Sequence, residues 1–243
     1  MSLPVFLADD ISADRLEILG DEGRHAATVR RIRVGESVQL VDGRGSRAQG
    51  VVAAARPASL VIDVQERVFE PPQSPRLVLV QALAKGDRGE LAVELATEVG
   101  VDEIVPWSAA RCIVRWEGDR GSRSRARWIA TSRAAAKQSR RSWLPVLAEP
   151  VTTEELAVRV AGCPSFVLHE GAPARLSTIV LPATEPGLEI VVVAGPEGGI
   201  TDEELALLTG QGATSVRLGP TVLRTSTAGA AALAVLSART GRW

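Results

Sequence analysis

Three turns in the sequence carry residue types and spacings that could do chemistry together. GPEGG at Gly195–Gly199 follows the apolar run EIVVVA, Leu218-Gly219-Pro220 ends SVRLG, and Leu168-His169-Glu170-Gly171 ends SFVLHE. Each reads as a buried strand leaving its sheet through a glycine turn, and the first two run on into helices. Glycine has no Cβ, so the backbone of such a turn comes within hydrogen-bonding distance of a flat, polar ligand. In an open parallel sheet, ligands bind at the C-terminal ends of the strands. One such turn alone reads equally well as plain chain reversal; three at neighbouring strand ends predict one pocket with backbone walls.

The flanking residues narrow the ligand. No G-x-G-x-x-G follows the first strand of a βαβ unit, and no G-x-x-x-x-G-K-[ST] occurs anywhere. Glu197 stands just before a helix N-terminus, where its carboxylate competes with a phosphate for the positive end of the helix. A ligand without phosphate, or one carrying positive charge, fits better. S-adenosylmethionine has both properties.

A second constellation is charge. Between Arg111 and Arg141 ten basic side chains are opposed only by Glu117 and Asp119, in a chain of net charge −1. Arginine clusters hold phosphates through paired hydrogen bonds and release counterions from nucleic acid. Arg111, Arg133, Gln138, Arg140 and Arg141 are the candidate RNA contacts in this segment. Trp116, Trp128 and Trp143 lie in or beside it and are candidates to stack on unpaired bases, against the plainer reading that they serve the core. His25 opens HAATVRRIRVGE, read as a basic amphipathic helix entering a strand. It joins Arg30 and Arg31 as a candidate RNA contact, the alternative for a single histidine being packing.

The elements that must position these groups fall into two patterns. Val5–Ala8, Ser37–Gly43, Ala48–Ala54 and Ser59–Val68 are short β-branched runs separated by Gly, Asp and Pro, as in a small barrel. Asp42–Gly45 reads as a hairpin turn and residues 22–32 as one helix. EPPQSP, with three prolines in six residues, continues neither strand nor helix and places a boundary there. Beyond it strands alternate with helices, which predicts a parallel sheet covered on both faces. The strands are Arg76–Leu83, Glu103–Trp107, Ser165–Glu170, Glu189–Gly195 and a short one at SVRLG. The first helix shows Leu91, Leu95 and Val99 as its buried stripe and closes at Gly100. A long helix ends near Arg141, Thr201 with Glu204 forms a capping box, and an Ala-rich helix covers Ser226–Arg239.

Composition excludes several classes. Cys112 and Cys163 fit no metal or redox spacing, and with only His25 and His169 available a zinc site is not expected. No apolar run reaches membrane-spanning length, and with no signal peptide the thiols are expected free in a reducing cytoplasm.

The two C-terminal motifs, GPEGGITDEEL and LGPTVLRTSTAGAAAL, resemble the signature of the RsmE family, 16S ribosomal RNA (uracil-N3) methyltransferases of the SPOUT class. HAATVRRIRVGESVQLVDGRG, KGDRGELAVELATEVGVDEIVPW and AAAKQSRRSWLPVL are similar to further family segments, so the likeness runs over nearly the whole chain. The resemblance implies an α/β parallel-sheet SPOUT methyltransferase domain with a deep C-terminal trefoil knot over residues 76–243. It implies a PUA-like RNA-binding β-barrel over 1–70 before it, with 71–75 as linker. It further implies a homodimer, S-adenosylmethionine as cofactor and the 16S RNA of the small ribosomal subunit as partner, with neither metal nor membrane. Carried over by position, the adenosine walls are Leu168, His169, Glu170 and Gly171, then Ala194, Gly195, Pro196, Glu197, Gly198 and Gly199, then Leu218, Gly219 and Leu223. Arg141 and Arg224 match basic positions that hold substrate, and Glu197 and Glu170 are candidates for a base on residue type. Two positions depart from the pattern. Ser226 stands where the family usually has Glu, leaving a hydroxyl suited at most to capping the last helix, and Lys137 replaces a common Glu, which favours an RNA-facing role. The rival readings are a non-catalytic RNA-binding or ribosome-assembly protein and a SPOUT enzyme acting on another RNA.

Overall fold

The computed structural model describes residues 3–183 and 185–243 and divides into two compact units. One comprises Met1–Pro72 with Ala136–Leu144, the other Gln73–Ala135 with Pro145–Trp243.

The first unit is a five-stranded sheet of β1 (Val5–Leu7), β2 (Arg15–Ile18), β3 (Ser37–Val41), β4 (Ser46–Arg56) and β5 (Ser59–Phe69). Its order is β1-β3-β4-β5-β2, with β1 parallel to β3 and the other pairs antiparallel. Phe6, Ile18, Val38, Leu40, Leu60 and Ile62 form its core. The β3–β4 turn is built by Asp42, whose Oδ1 accepts the N–H groups of Arg44 at 2.7 Å and Ser46 at 2.9 Å. Gly43 and Gly45 supply the positive φ it needs, +74° and +98°. Strand β2 escaped the sequence reading because only Ile18 of its four residues is buried, so it shows no apolar run. The helix expected over 22–32 is shorter and irregular: α1 (Gly20–Arg24) passes into one π-helical turn, His25–Val29. It ends at Arg31, with φ +54°, and Ile32 N–H bonds the Ala26 carbonyl at 3.1 Å.

The second unit alternates strand and helix. In chain order it contains β6 (Arg76–Ala82), α2 (Arg88–Glu98), β7 (Glu103–Trp107), α3 (Gly118–Gln138), β8 (Val146–Leu147) and α4 (Thr153–Val160). There follow β9 (Ser165–Leu168), β10 (Glu189–Ala194), α5 (Asp202–Gly210), β11 (Thr214–Val216) and α6 (Thr225–Arg239). All six strands pair in parallel in the order β11-β9-β10-β6-β7-β8. The central strands β6 and β10 are apolar at nearly every position, as strands covered on both faces must be. From β6 the chain winds outward through β7 to β8, then crosses to the other side for β9, and β10 slots between β9 and β6. That switch sets the ends of β9, β10 and β11 side by side, where a ligand site belongs.

The last three residues of α3 belong with the first unit. The helix stops at Gln138, short of the expected Arg141, because Arg140 turns left-handed at φ +58°. Arg141 N–H reaches the Ala136 carbonyl at 2.9 Å and Arg140 N–H the Lys137 carbonyl at 3.2 Å, closing the helix in a Schellman pattern. In α2 the buried face is Ala92, Val93, Ala96 and Thr97, while Leu91 is 43% exposed and Leu95 and Val99 are half-buried. The expected stripe is thus corrected: α2 packs against α6, itself rich in Gly and Ala, and small residues let the two helices approach closely. Gly100, at φ +98°, does end the helix. The Thr201–Glu204 capping box starts α5 as expected, and an equivalent box, Thr152 with Glu155, starts α4, which the sequence reading passed over together with β8. Ser226 does not cap α6: the N-cap is Arg224, no side chain caps that end, and Ser226 is buried inside the first turn.

At the opposite end of the sheet Glu103 on β7 is clamped by Arg159 of α4 (2.8 and 3.0 Å) and Arg76 of β6 (2.5 Å). Glu189 of β10 bonds the same two arginines. Burial alone would push the Glu103 carboxyl up, yet the hydrogen bonds from Arg159 and Arg76 hold it below its ordinary 4.5.

Candidate active site

The ends of β9, β10 and β11 and the start of α6 enclose a cleft of about 620 Å³. Eleven of the expected wall residues line it: Leu168, His169, Glu170, Gly195, Pro196, Glu197, Gly198, Gly199, Leu218, Gly219 and Leu223. Two do not. Ala194 closes β10 with its side chain in the core, and Gly171 is drawn into its own turn, its N–H donating to His169 Nδ1 at 3.2 Å.

The cleft's shape rests on short-range contacts between elements. Thr225, at the first turn of α6, donates its hydroxyl to the Gly195 carbonyl at 2.7 Å and accepts from the buried Gln81 Nε2 at 3.0 Å. The central strand β6 therefore ties the end of β10 to α6. A Cβ on Gly195 would lie 2.7 Å from Ile200 Cγ1, so this glycine is required by packing within the turn. Gly199 takes φ +75°. Gly219 is different, because a Cβ there would meet nothing within 4 Å.

Charge in the cleft is mixed. Glu170, Glu197 and Asp202 line it with Arg88, Arg111, Arg217 and Arg224. Glu197 Oε1 takes the Arg88 guanidinium at 3.1 Å and the Lys85 N–H at 3.4 Å, so the carboxylate is anchored to the turn between β6 and α2. Arg111, expected on RNA, lines this cleft and donates to the Gly198 carbonyl at 3.0 Å. The Arg224 guanidinium is exposed and meets no acidic partner among the described residues. Arg141 is not among the lining residues and belongs with the first unit. The sequence reading missed Arg88, Arg217 and Thr225; the glycine-flanked KGDRGE turn after β6 was the available signal for the first.

The basic segment is less free than its composition suggests. Arg115 donates to the Ala109 and Ala110 carbonyls, Arg125 to those of Leu147 and Ala148, and Arg125 pairs with Glu149 at 2.9 Å. Arg127 pairs with Glu90 at 3.5 Å. Lys137, expected to face RNA, is bound to Glu22 at 2.5 Å with its side chain only 20% exposed. Trp128 is 3% exposed and offers no open face to a base, and the Trp143 indole N–H is spent on the Glu70 carbonyl at 2.8 Å. Arg120, Arg123, Arg133, Gln138 and Arg140 stand exposed. In the first unit Arg30 and Arg31 are exposed and His25 is half-buried at the π-helical turn.

A glycine-edged cleft at three parallel strand ends, on a sheet whose order reverses beside it, defines an α/β protein that binds a small organic ligand. Models of two families match the chain: an RNA methyltransferase domain over residues 71–237 and an RNA methyltransferase PUA domain over residues 18–65. Ribosomal RNA small subunit methyltransferase E of Mycobacterium bovis is 49% identical over 229 residues, covering 92% of this chain and 86% of that protein. The Bacillus subtilis protein of the same name is 28% identical, covering 94% and 91%. The crystal structure of the Neisseria gonorrhoeae enzyme bound to S-adenosyl methionine superimposes with a TM-score of 0.86 at 26% identity, covering 98% of each chain. The chain belongs to the RNA methyltransferases with an N-terminal PUA-like domain, in the family of the ribosomal RNA small subunit methyltransferases E. Among the described residues no helix is long and apolar enough to cross a membrane, and no cluster of three or more metal-binding side chains occurs.

Proposed function

We propose that the chain methylates N3 of a uracil in the 16S RNA of the small ribosomal subunit, with S-adenosylmethionine held in the glycine-edged cleft. The observation that carries the reading is the open backbone edge at Gly219, facing Leu168 and the GPEGG turn within one cleft. The residues present fit the cofactor: Leu168, Leu218 and Leu223 offer apolar surface for an adenine, and Glu170, Glu197 and Asp202 offer negative charge toward a cation. When bound, S-adenosylmethionine supplies an electrophilic methyl group carried on a sulfonium.

The chain's own residues do the rest. Uracil N3 is nucleophilic only after its proton leaves, and the unpaired Arg224 guanidinium at the cleft mouth holds the resulting anion. Arg141 is the second arginine assigned to substrate. Of the two candidate bases, Glu170 is exposed at the end of β9, whereas Glu197 already accepts from Arg88 and Lys85 and acts first as an anchor. Positioning of N3 in line with the departing sulfur provides much of the acceleration. Residues 1–70 act as the PUA-like RNA-binding β-barrel, 71–75 as linker and 76–243 as the knotted SPOUT domain, in a cytoplasmic homodimer. His25, Arg30, Arg31, Arg133, Gln138 and Arg140 meet the RNA.

Mass spectrometry of small-subunit RNA from a strain lacking this chain tests the substrate. N3-methyluridine disappears there and returns with a plasmid copy; its persistence defeats the assignment. Calorimetric titration tests the enzyme reading, which fails if S-adenosylmethionine does not bind.

A further inference from the structure

A second cavity, of about 480 Å³, opens in the second unit between the first turn of α2, the chain entering α3 and the first turns of α3. Half-buried Trp116 and the rim of Trp128 supply its apolar surface, and Arg120, Asp87 and the Arg127–Glu90 pair its charge. The two indoles meet edge to face, with centroids 4.8 Å apart and planes 77° apart. Elsewhere the indole N–H groups of buried Trp107 and half-buried Trp143 donate to Thr153 and to the Glu70 carbonyl. The N–H groups of Trp116 and Trp128 meet no acceptor among the described residues and are not sealed from solvent, so both are open to a ligand in the cavity. Arg120 likewise has no acidic partner there.

This cavity and the glycine-edged cleft share one turn. Arg88 and the Lys85 N–H hold Glu197 on the cleft side, while Gly86 and Asp87 line the second cavity. Neighbouring Cα atoms are about 3.8 Å apart, so the two openings flank a wall one or two residues thick.

We propose that the second cavity receives an unpaired base of the same RNA strand whose target uracil enters the cleft, a reading that rests on the methyltransferase assignment. A base brings a flat π-face for Trp116, acceptors for the indole N–H groups and donors for the exposed Asp87 carboxylate, and its phosphate reaches Arg120. An aliphatic ligand would displace water from the two indole N–H groups and offer no acceptor in its place. The pocket therefore reads a neighbour of the methylated position.

The test uses the full chain and single-stranded RNA oligonucleotides spanning the target uridine, with one abasic site moved along the series. The five tryptophans give five indole N–H resonances, and Trp116→Phe and Trp128→Phe identify two of them. Intact RNA is expected to shift both. At one position beside the uridine, the abasic RNA leaves them unmoved and binds on the order of tenfold more weakly. Trp116→Ala lowers affinity for intact RNA by a similar factor and removes sensitivity to that abasic site, with S-adenosylmethionine affinity unchanged. Equal affinity for intact and abasic RNA at every position, in an enzyme that still methylates RNA, overturns this proposal alone. A change of subunit number in Trp116→Ala without loss of RNA affinity also overturns it, by making the cavity a protein contact. RNA that is neither bound nor methylated overturns both readings.

Discussion

Gly195 and Gly219 edge the same cleft but differ in what surrounds them, and substitution should separate their roles. Gly219→Val adds a side chain into open space, so thermal unfolding should stay near wild type while calorimetry shows loss of S-adenosylmethionine binding. Gly195→Val drives a branched side chain into Ile200 and should cost about 1–3 kcal/mol of stability besides. Full cofactor affinity in Gly219→Val would remove the proposed pocket. Arg140 is a second residue-scale case. It takes the left-handed position that helix ends usually give to glycine, a conformation costing an ordinary residue about 1 kcal/mol. Arg140→Gly should therefore stabilise the chain against urea while weakening RNA binding; unchanged RNA binding would mean the arginine is not kept for RNA. At this scale the sequence was informative for backbone walls, because glycine spacing survives folding unchanged. It was less informative for charged side chains: nothing in the local run around Lys137 reveals Glu22, far away in the chain, as its partner.

Among the elements, α2 shows how far periodicity reaches. Its largest apolar residues suggested the wrong face, since what decides burial here is closeness of approach to α6, which favours alanine over leucine. Ala96→Leu should destabilise by about 1–3 kcal/mol through overpacking, whereas Leu91→Ala, at a largely exposed position, should change stability far less. Chemical denaturation of the two variants checks the order. The clamp joining β6, β7, β10 and α4 makes a pH prediction. Its Glu103 carboxyl lies below the ordinary 4.5, so its contribution is complete above that value and is lost as pH falls through the lowered one. Glu103→Gln should be less stable at neutral pH and should show a shallower acid loss; equal acid slopes in the two proteins would discount the clamp. Both capping boxes lie in plain view in the sequence, but only the one after GPEGG was recognised. The helices behind the two are of nearly equal length, so the difference lay in the glycine-rich motif that drew attention to the second.

For the whole molecule, the parallel α/β class and the mostly β character of the N-terminal part were legible from the run types alone, whereas the parallel pairing of β1 with β3 was not. The family came from motif resemblance, and the reversal of strand order at β6 and β10 came only with the structure, because order in a sheet leaves no local trace. Net charge misleads at this scale too. A total of −1 conceals arginines left exposed after their neighbours are neutralised. Arg133→Ala should lower RNA affinity and reduce the slope of log affinity against log salt by about 1, with cofactor binding unaltered. An unchanged slope would make Arg133 a solvated surface charge.

The segment Ala136–Leu144 groups with a unit whose other residues end at Pro72. Within that unit Leu144 N–H bonds the Gly43 carbonyl at 3.0 Å, Gly45 N–H bonds the Ser142 carbonyl at 3.0 Å, and Trp143 is fastened to Glu70. During synthesis, then, the N-terminal sheet leaves the ribosome missing part of its own packing. It waits for that part while two strands, β6 and β7, and two helices, α2 and most of α3, are translated. The N-terminal unit, first to be started, is therefore finished only once Ala136–Leu144 has been made.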